Sequence, residues 1–299
     1  MRIRTAGGLL LLVCAGMVLS GCGSSAQAGS TAGVLKVVAA ENFWGSIAKQ
    51  EGGSRVNVQS IIVNPNADPH SYEPSVSDAR SVANAGFFIY NGAGYDSWAT
   101  SLVKANPVKS RGLLVVGDLV KPVEDNPHLW YDPAYVLRVA SAITAGYRSL
   151  QPKHSRYFAR LHARFVGHAL HPYLQLVSAI RTAYSGVRVG ATESIFSYMA
   201  AALHLDLITP PAFMKAIAEG TEPTVADKET FDSQILGRKI RVLVFNKQNV
   251  TPDVQALVSE ARGRGIPIVP ITETLAPAGA SFEAWQTNQL RVLQSALAR

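Results

Sequence analysis

Apolar residues along this chain change period several times, and the changes divide it into parts. Short apolar runs at Leu35–Ala39, Val56–Val63, Phe87–Asn91 and Leu113–Val116 read as strands, and the segments between them, including Phe43–Gln50, Ser77–Ala85 and Asp96–Lys104, read as helices. Strand alternating with helix predicts β/α units on a parallel sheet. Between residues 153 and 183 the only glycine is Gly167, and Phe158, Leu161, Phe165, Ala169, Leu176 and Ile180 recur close to a 3.6-residue period. That spacing predicts one long helix, kinked near His168–Pro172 because Pro172 cannot donate to the carbonyl four residues back. After Tyr184-Ser185-Gly186 the alternation resumes, with strands at Val187–Ala191, Leu207–Ile208, Val242–Phe245 and Ile266–Ile271. Helices are expected at Ser194–Leu203, Lys228–Leu236, Thr251–Arg264 and Phe282–Ala298. The predicted fold is therefore α/β, with two β/α lobes of parallel sheet, residues 34–150 and 186–299, joined by a linking helix at 151–185. A ligand belongs in the cleft between the lobes.

The first residues follow a different rule. Arg2 and Arg4 precede an apolar run from Gly7 to Leu19, then comes Leu19-Ser20-Gly21-Cys22 and a Gly/Ser/Ala-rich tether over residues 22–33. A basic start, a short apolar stretch and small residues read as a secretory signal over residues 1–21. The run is shorter than the roughly 20 apolar residues a spanning helix needs. Leu-Ser-Gly-Cys resembles the bacterial lipobox, which implies cleavage before Cys22 and lipid on its thiol; ordinary cleavage near Ala26 or Ala28 is the alternative. The chain is thus expected on the extracytoplasmic side of the cell membrane, at the cell surface or in the periplasm. Cys14 and Cys22 are the only cysteines, so any site beyond them must be built from nitrogen and oxygen. Loss of residues 1–21 removes two arginines and leaves 26 Lys and Arg against 21 Asp and Glu, a charge of +5 without a clustered basic stripe. Nucleic acid is not an expected partner.

Candidate chemistry lies in two matching stretches, Asp68-Pro69-His70-Ser71-Tyr72-Glu73-Pro74 and Asn126-Pro127-His128-Leu129-Trp130-Tyr131-Asp132-Pro133. Each sets a histidine on a loop stiffened by prolines, which leaves the imidazole little orientational freedom to lose when it takes a metal ion. In open parallel sheets ligands bind beyond the carboxyl ends of the strands. The donors at those ends are Glu41, His70, His128, Glu193 and Glu273, drawn from both halves. Asp132 is placed either to orient His128 through its second ring nitrogen or to cap the helix that starts at Pro133. Trp98, Trp130 and Tyr131 read as packing against a sheet or walling the cleft. His154, His162, His168, His171 and His204 fall in helical stretches and read as surface or packing residues.

With these motifs, the stretches Glu41-Asn42-Phe43-Trp44-Gly45-Ser46-Ile47-Ala48, Asn91-Gly92-Ala93-Gly94-Tyr95-Asp96-Ser97-Trp98 and Ile271-Thr272-Glu273-Thr274-Leu275 complete a resemblance. From about residue 35 onward the chain resembles the zinc/manganese solute-binding lipoproteins of bacterial ABC importers, known as cluster A-I or cluster 9. The resemblance implies two lobes on a rigid helix, one divalent metal between them and four side-chain ligands. Carried across by motif, these are His70, His128, Glu193 and Glu273. The last replaces the aspartate common in the family, with Asp206 a distant fallback. Two imidazoles and two carboxylates favour manganese or iron(II), although zinc outranks manganese in intrinsic affinity. Manganese is therefore the expected ion and zinc the alternative. The implied partners are an ABC permease and its ATPase, with the receptor a monomer held by its lipid. An adhesin on the same fold is the alternative function. A metallohydrolase needs an open coordination position and a further acid or base, and neither stands out.

If Cys22 carries the anchor, Cys22→Ala should move the protein from the membrane fraction to the soluble one. A variant that stays as membrane-bound as wild type would rule the lipobox out.

Overall fold

Alternation within the first strand already assigns its two faces. In β1 (Leu35–Glu41), Val37 and Ala39 join one buried cluster while Val38 and Ala40 join another. A strand covered on both sides is what a parallel sheet between helix layers requires. The computed structural model describes residues 33–66, 69–122 and 125–299. The expectations for residues 1–21, for Cys22 and for the tether as far as residue 32 lie outside the described residues.

The first sheet has the order β2-β1-β3-β4, with β2 at Val56–Ile62, β3 at Phe87–Tyr90 and β4 at Gly112–Val115, every pairing parallel. The second repeats this arrangement as β6-β5-β7-β8, formed by Arg188–Ala191 (β5), Asp206–Leu207 (β6), Leu243–Asn246 (β7) and Ile268–Ile271 (β8). Each sheet reverses its strand order between its first and third strands in sequence. That switch point is where ligands of such sheets collect.

Helices α1 (Asn42–Gly52), α2 (Val76–Ala83), α3 (Ser97–Ala105) and α4 (Val116–Val120) connect the first sheet. Then α5 (Pro133–Leu150) runs for 18 residues. Helices α8 (Ser197–Ala202), α9 (Pro211–Ala218), α10 (Val225–Leu236), α11 (Pro252–Gly263) and α12 (Phe282–Leu297) belong to the second half. The linking segment is α6 (Ser155–Arg164), one turn of π-helix at Phe165–Ala169, and α7 (His171–Tyr184). The expected single helix is thus divided into two by a π-helical turn. Pro172 has no N–H, and the Leu170 amide reaches back five residues to the Phe165 carbonyl at 2.8 Å. The break therefore sits ahead of the proline, where the wider turn absorbs the extra residue and lets Pro172 begin α7.

One apolar cluster passes through both lobes, from Val37, Phe43 and Trp44 by way of Trp130, Ile143 and Tyr173 to Phe282 and Leu293. Two smaller clusters back the outer faces, around Phe88 and Val82 in the first lobe and around Phe231 and Leu257 in the second. Among the described residues, no helix is long and apolar enough to cross a membrane.

Glu51, at the end of α1, is wholly buried. It accepts from Thr144 Oγ1 of α5 and lies 2.9 Å from His162 Nδ1 of α6. Burial pushes its carboxyl up, and the two partners pull it back. His162, expected to be a surface or packing residue, is in fact a partner of this buried acid. Thr144→Val keeps the volume but removes a donor to a buried charged group, so it should lower unfolding stability by about 1–3 kcal/mol in urea titrations of the metal-free protein. An unchanged midpoint would show that the bond contributes nothing.

Candidate metal centre

The four expected donors meet. One donor atom from each of His70, His128, Glu193 and Glu273 lies within 4.8 Å of all the others. His70 Nε2 is 3.4 Å from Glu273 Oε2, and His128 Nε2 is 3.5 Å from Glu193 Oε1. Metal bonds to nitrogen and oxygen of about 2.0–2.2 Å hold opposed donors at most about 4.4 Å apart. In a tetrahedral set four such donors stand about 3.3–3.6 Å apart, so the His70–Glu273 and His128–Glu193 pairs already fit and the widest would have to close by about an ångström. The side chains of His128, Glu193 and Glu273 show no accessible surface, and that of His70 shows 22%.

Local structure explains each position. His70 sits in a single 3-10 turn, Pro69–Ser71, after β2. His128 precedes another such turn, Leu129–Tyr131, on the strap after β4. Glu193 follows β5 in extended backbone, and Glu273 follows β8. All four stand beyond carboxyl ends of strands.

The orientation of His128 is fixed by Asn126. The amide Nδ2 of Asn126 donates to the Ser194 carbonyl at 2.9 Å, and its Oδ1 accepts the His128 backbone N–H at 3.1 Å. The same Oδ1 lies 2.8 Å from His128 Nδ1, so the proton belongs on Nδ1 and the Nε2 lone pair faces the site. Burial first, and the His70 charge second, hold the His128 imidazole well below its usual range, which keeps it neutral and able to bind metal. Asp132 takes its other expected role. Its carboxylate accepts the N–H groups of Ala134 and Tyr135 at 2.7 and 3.3 Å and caps α5.

The carboxylates have dedicated donors as well. Asn246, which ends β7, uses one amide group for both, donating to Glu193 Oε2 at 3.0 Å and to Glu273 Oε1 at 2.7 Å. Tyr95 donates its hydroxyl to Glu273 Oε2 at 2.6 Å. Gln248 Oε1 accepts the backbone N–H groups of Glu273 and Thr274, fixing the loop. Trp130 lies edge-on beneath His128 and stacks on Phe43 with ring centroids 4.0 Å apart. Tyr131 donates across the cleft to the Thr272 carbonyl at 2.8 Å. Trp98 packs against the first sheet as expected, beside Tyr72, and Asp206 is an exposed partner of Arg188. Glu41 ends β1 in full burial and is not among the four.

Sequence reasoning had not singled out Asn126, Asn246, Gln248 or Tyr95 individually. The rule that found the ligands would have reached Asn246, since it stands at a carboxyl end beside the second switch point. Asn126 and Tyr95 already stood inside quoted motifs.

A free, unfolded histidine titrates near pH 6.5. The folded His128 titrates lower, so its contribution to stability is complete above that value and is lost as pH falls through it. Metal-free wild type should therefore lose stability from about pH 7 to pH 5 more steeply than His128→Asn. Parallel slopes in denaturant titrations would contradict the assignment.

The profile of the family described as "ZnuA: Zinc-uptake complex component A periplasmic" matches residues 37–296. The metal ABC transporter substrate-binding lipoprotein FimA of Streptococcus parasanguinis is 24% identical over 288 residues, 89% of this chain and 89% of that protein. The manganese ABC transporter substrate-binding lipoprotein PsaA of Streptococcus pneumoniae is 26% identical over 172 residues, 53% of this chain. This chain spans about half the length of PsaA, as it does for several other curated relatives. The periplasmic zinc-binding protein TroA of Treponema pallidum shares the fold, with a TM-score of 0.73 at 18% identity over 89% of this chain and 100% of that one.

Proposed function

We propose, from the premise that this chain belongs to the ZnuA family, that it is the extracytoplasmic receptor of an ABC importer for a divalent transition metal, manganese or zinc. It is a binding protein and not an enzyme. The observation that carries this reading is the convergence of two imidazoles and two carboxylates, with donor atoms within 4.8 Å, between two lobes of a metal-receptor fold. The ion is cargo, captured outside the membrane and passed to a permease driven by its ATPase.

His70, His128, Glu193 and Glu273 are the proposed ligands. Their summed charge, two carboxylates with two neutral imidazoles, matches a dication. Oxygen donors suit manganese, and FimA and PsaA, named as receptors for a metal and for manganese, support that class of cargo. Zinc binds such a set at least as tightly in the test tube, so supply and the permease decide what is carried. The proposed anchor is lipid on Cys22, with a monomeric receptor on the outer face of the membrane.

Calorimetric titration with manganese and with zinc tests the ligand set. His128→Ala and Glu273→Ala should each weaken binding by more than about 100-fold, beyond the 10–100-fold typical of a residue that merely orients a ligand. One ion should bind per chain. Unchanged affinity in both variants would overturn the reading.

A further inference from the structure

Glu41 is a carboxyl at the centre of the first lobe that the metal site leaves unused. It ends β1, is wholly buried, and as a carboxylate would have no hydrogen-bond donor for either oxygen. The pairing of β1 with β3 puts Ala39 beside Ile89, so two residues on Glu41 draws level with Asn91. There the chain turns through Gly92, Ala93 and Gly94, all with positive φ, including 51° at Ala93, which carries a side chain. Asp96 closes that turn. Its carboxylate accepts the N–H of Asn91 at 2.6 Å and of Gly92 at 2.7 Å.

The second carboxyl facing this pair of bonds is Glu41. Among the described residues, the ionisable group that acts on Glu41 is Asp96, and the one that acts on Asp96 is Glu41. Two buried carboxylates in contact without a cation cannot both ionise, and Asp96 already has backbone donors that favour its charged form. Burial first, and Asp96 second, push the Glu41 carboxyl well above the usual carboxylate range.

We propose that Glu41 is a positioning residue for the metal centre: as a neutral acid it donates its proton to Asp96 and so locks the Asn91–Asp96 turn. The turn supports two of the four proposed ligands. Asn91 donates its amide to the Pro127 carbonyl at 2.8 Å, which holds the strap carrying His128, and accepts from Trp44 Nε1 at 3.1 Å. Tyr95 donates to Glu273. The inference rests on the receptor reading for its consequence on metal, but the protonation itself does not.

Two substitutions separate a proton donor from a packing group. Glu41→Gln keeps shape and a donor, and Glu41→Leu keeps approximate volume with none. In infrared spectra of the metal-free protein at neutral pH, wild type should show the carbonyl stretch of a buried carboxylic acid, and Glu41→Gln should lack it. In zinc and manganese titrations, Glu41→Gln should stay within about threefold of wild type and Glu41→Leu should bind about 10–100-fold more weakly. Folding of each variant is checked by circular dichroism. No acid band in wild type, a band that survives in Glu41→Gln, or equal affinity of the Gln and Leu variants would overturn the proposal. If wild type takes up no metal at all, the receptor reading fails, while the infrared band still decides the state of Glu41.

Discussion

Two carboxylates, Glu193 and Glu273, are held within a few ångströms of each other where water does not reach, and that repulsion governs the site around them. Unit charges no more than 4.8 Å apart repel by at least about 3 kcal/mol at an effective dielectric constant of about 20. Asn246 offsets part of it by giving one hydrogen to each carboxylate, and Tyr95 adds a hydroxyl to Glu273. The imidazole of His128, kept neutral by burial, adds no cation of its own. What remains is a negative pocket matched to a dication. The supports come from both lobes, because the strap bearing His128 is bound through Asn126 to Ser194 beside Glu193.

The two lobes solve the same problem in different ways. Their sheets share one strand order, so Glu41, which ends β1, and Asn91, just after β3, correspond to Glu193, just after β5, and Asn246, which ends β7. In the second lobe the glutamate faces the cleft and the asparagine steadies it. In the first the glutamate faces inward against Asp96, and the cleft is served by histidines on loops. A buried acid can be relieved by a cation or by a proton, and on the two proposals above the second lobe would use the former and the first lobe the latter.

Strands were legible in the sequence because each is a short apolar run bounded by breakers, and all eight agree within two residues. Val187–Ala191, Val242–Phe245 and their neighbours carry period and composition together. Helices that lean on tertiary contacts were harder to read. Beyond its start at Pro133, α5 went unassigned because Gly146 and the scattered β-branched residues Val136, Val139, Ile143 and Thr144 weaken its local helical signal, while Phe87, Tyr147 and Ile143 supply the packing that fixes it. Strand ends and stiff Pro-His loops singled out five candidate donors, and the family resemblance reduced them to four. Their supports could not be identified from spacing, since Asn126 and Asn246 act across 68 and 53 positions of sequence. The choice of Asp132 as a helix cap was decided by geometry too, once Asn126 had taken the ring nitrogen of His128.

His70 differs from its companions in being the single donor with an edge toward solvent, and it rides on a short turn after an edge strand. A chelate with three enclosed arms and one accessible arm exchanges its ion by substitution at that arm. With the proposed ion bound, His70 would be the arm an incoming donor could reach, and release would begin at the Pro69–Ser71 turn while the three buried side chains still held. Retention and turnover can in this way be adjusted by different residues of the same site.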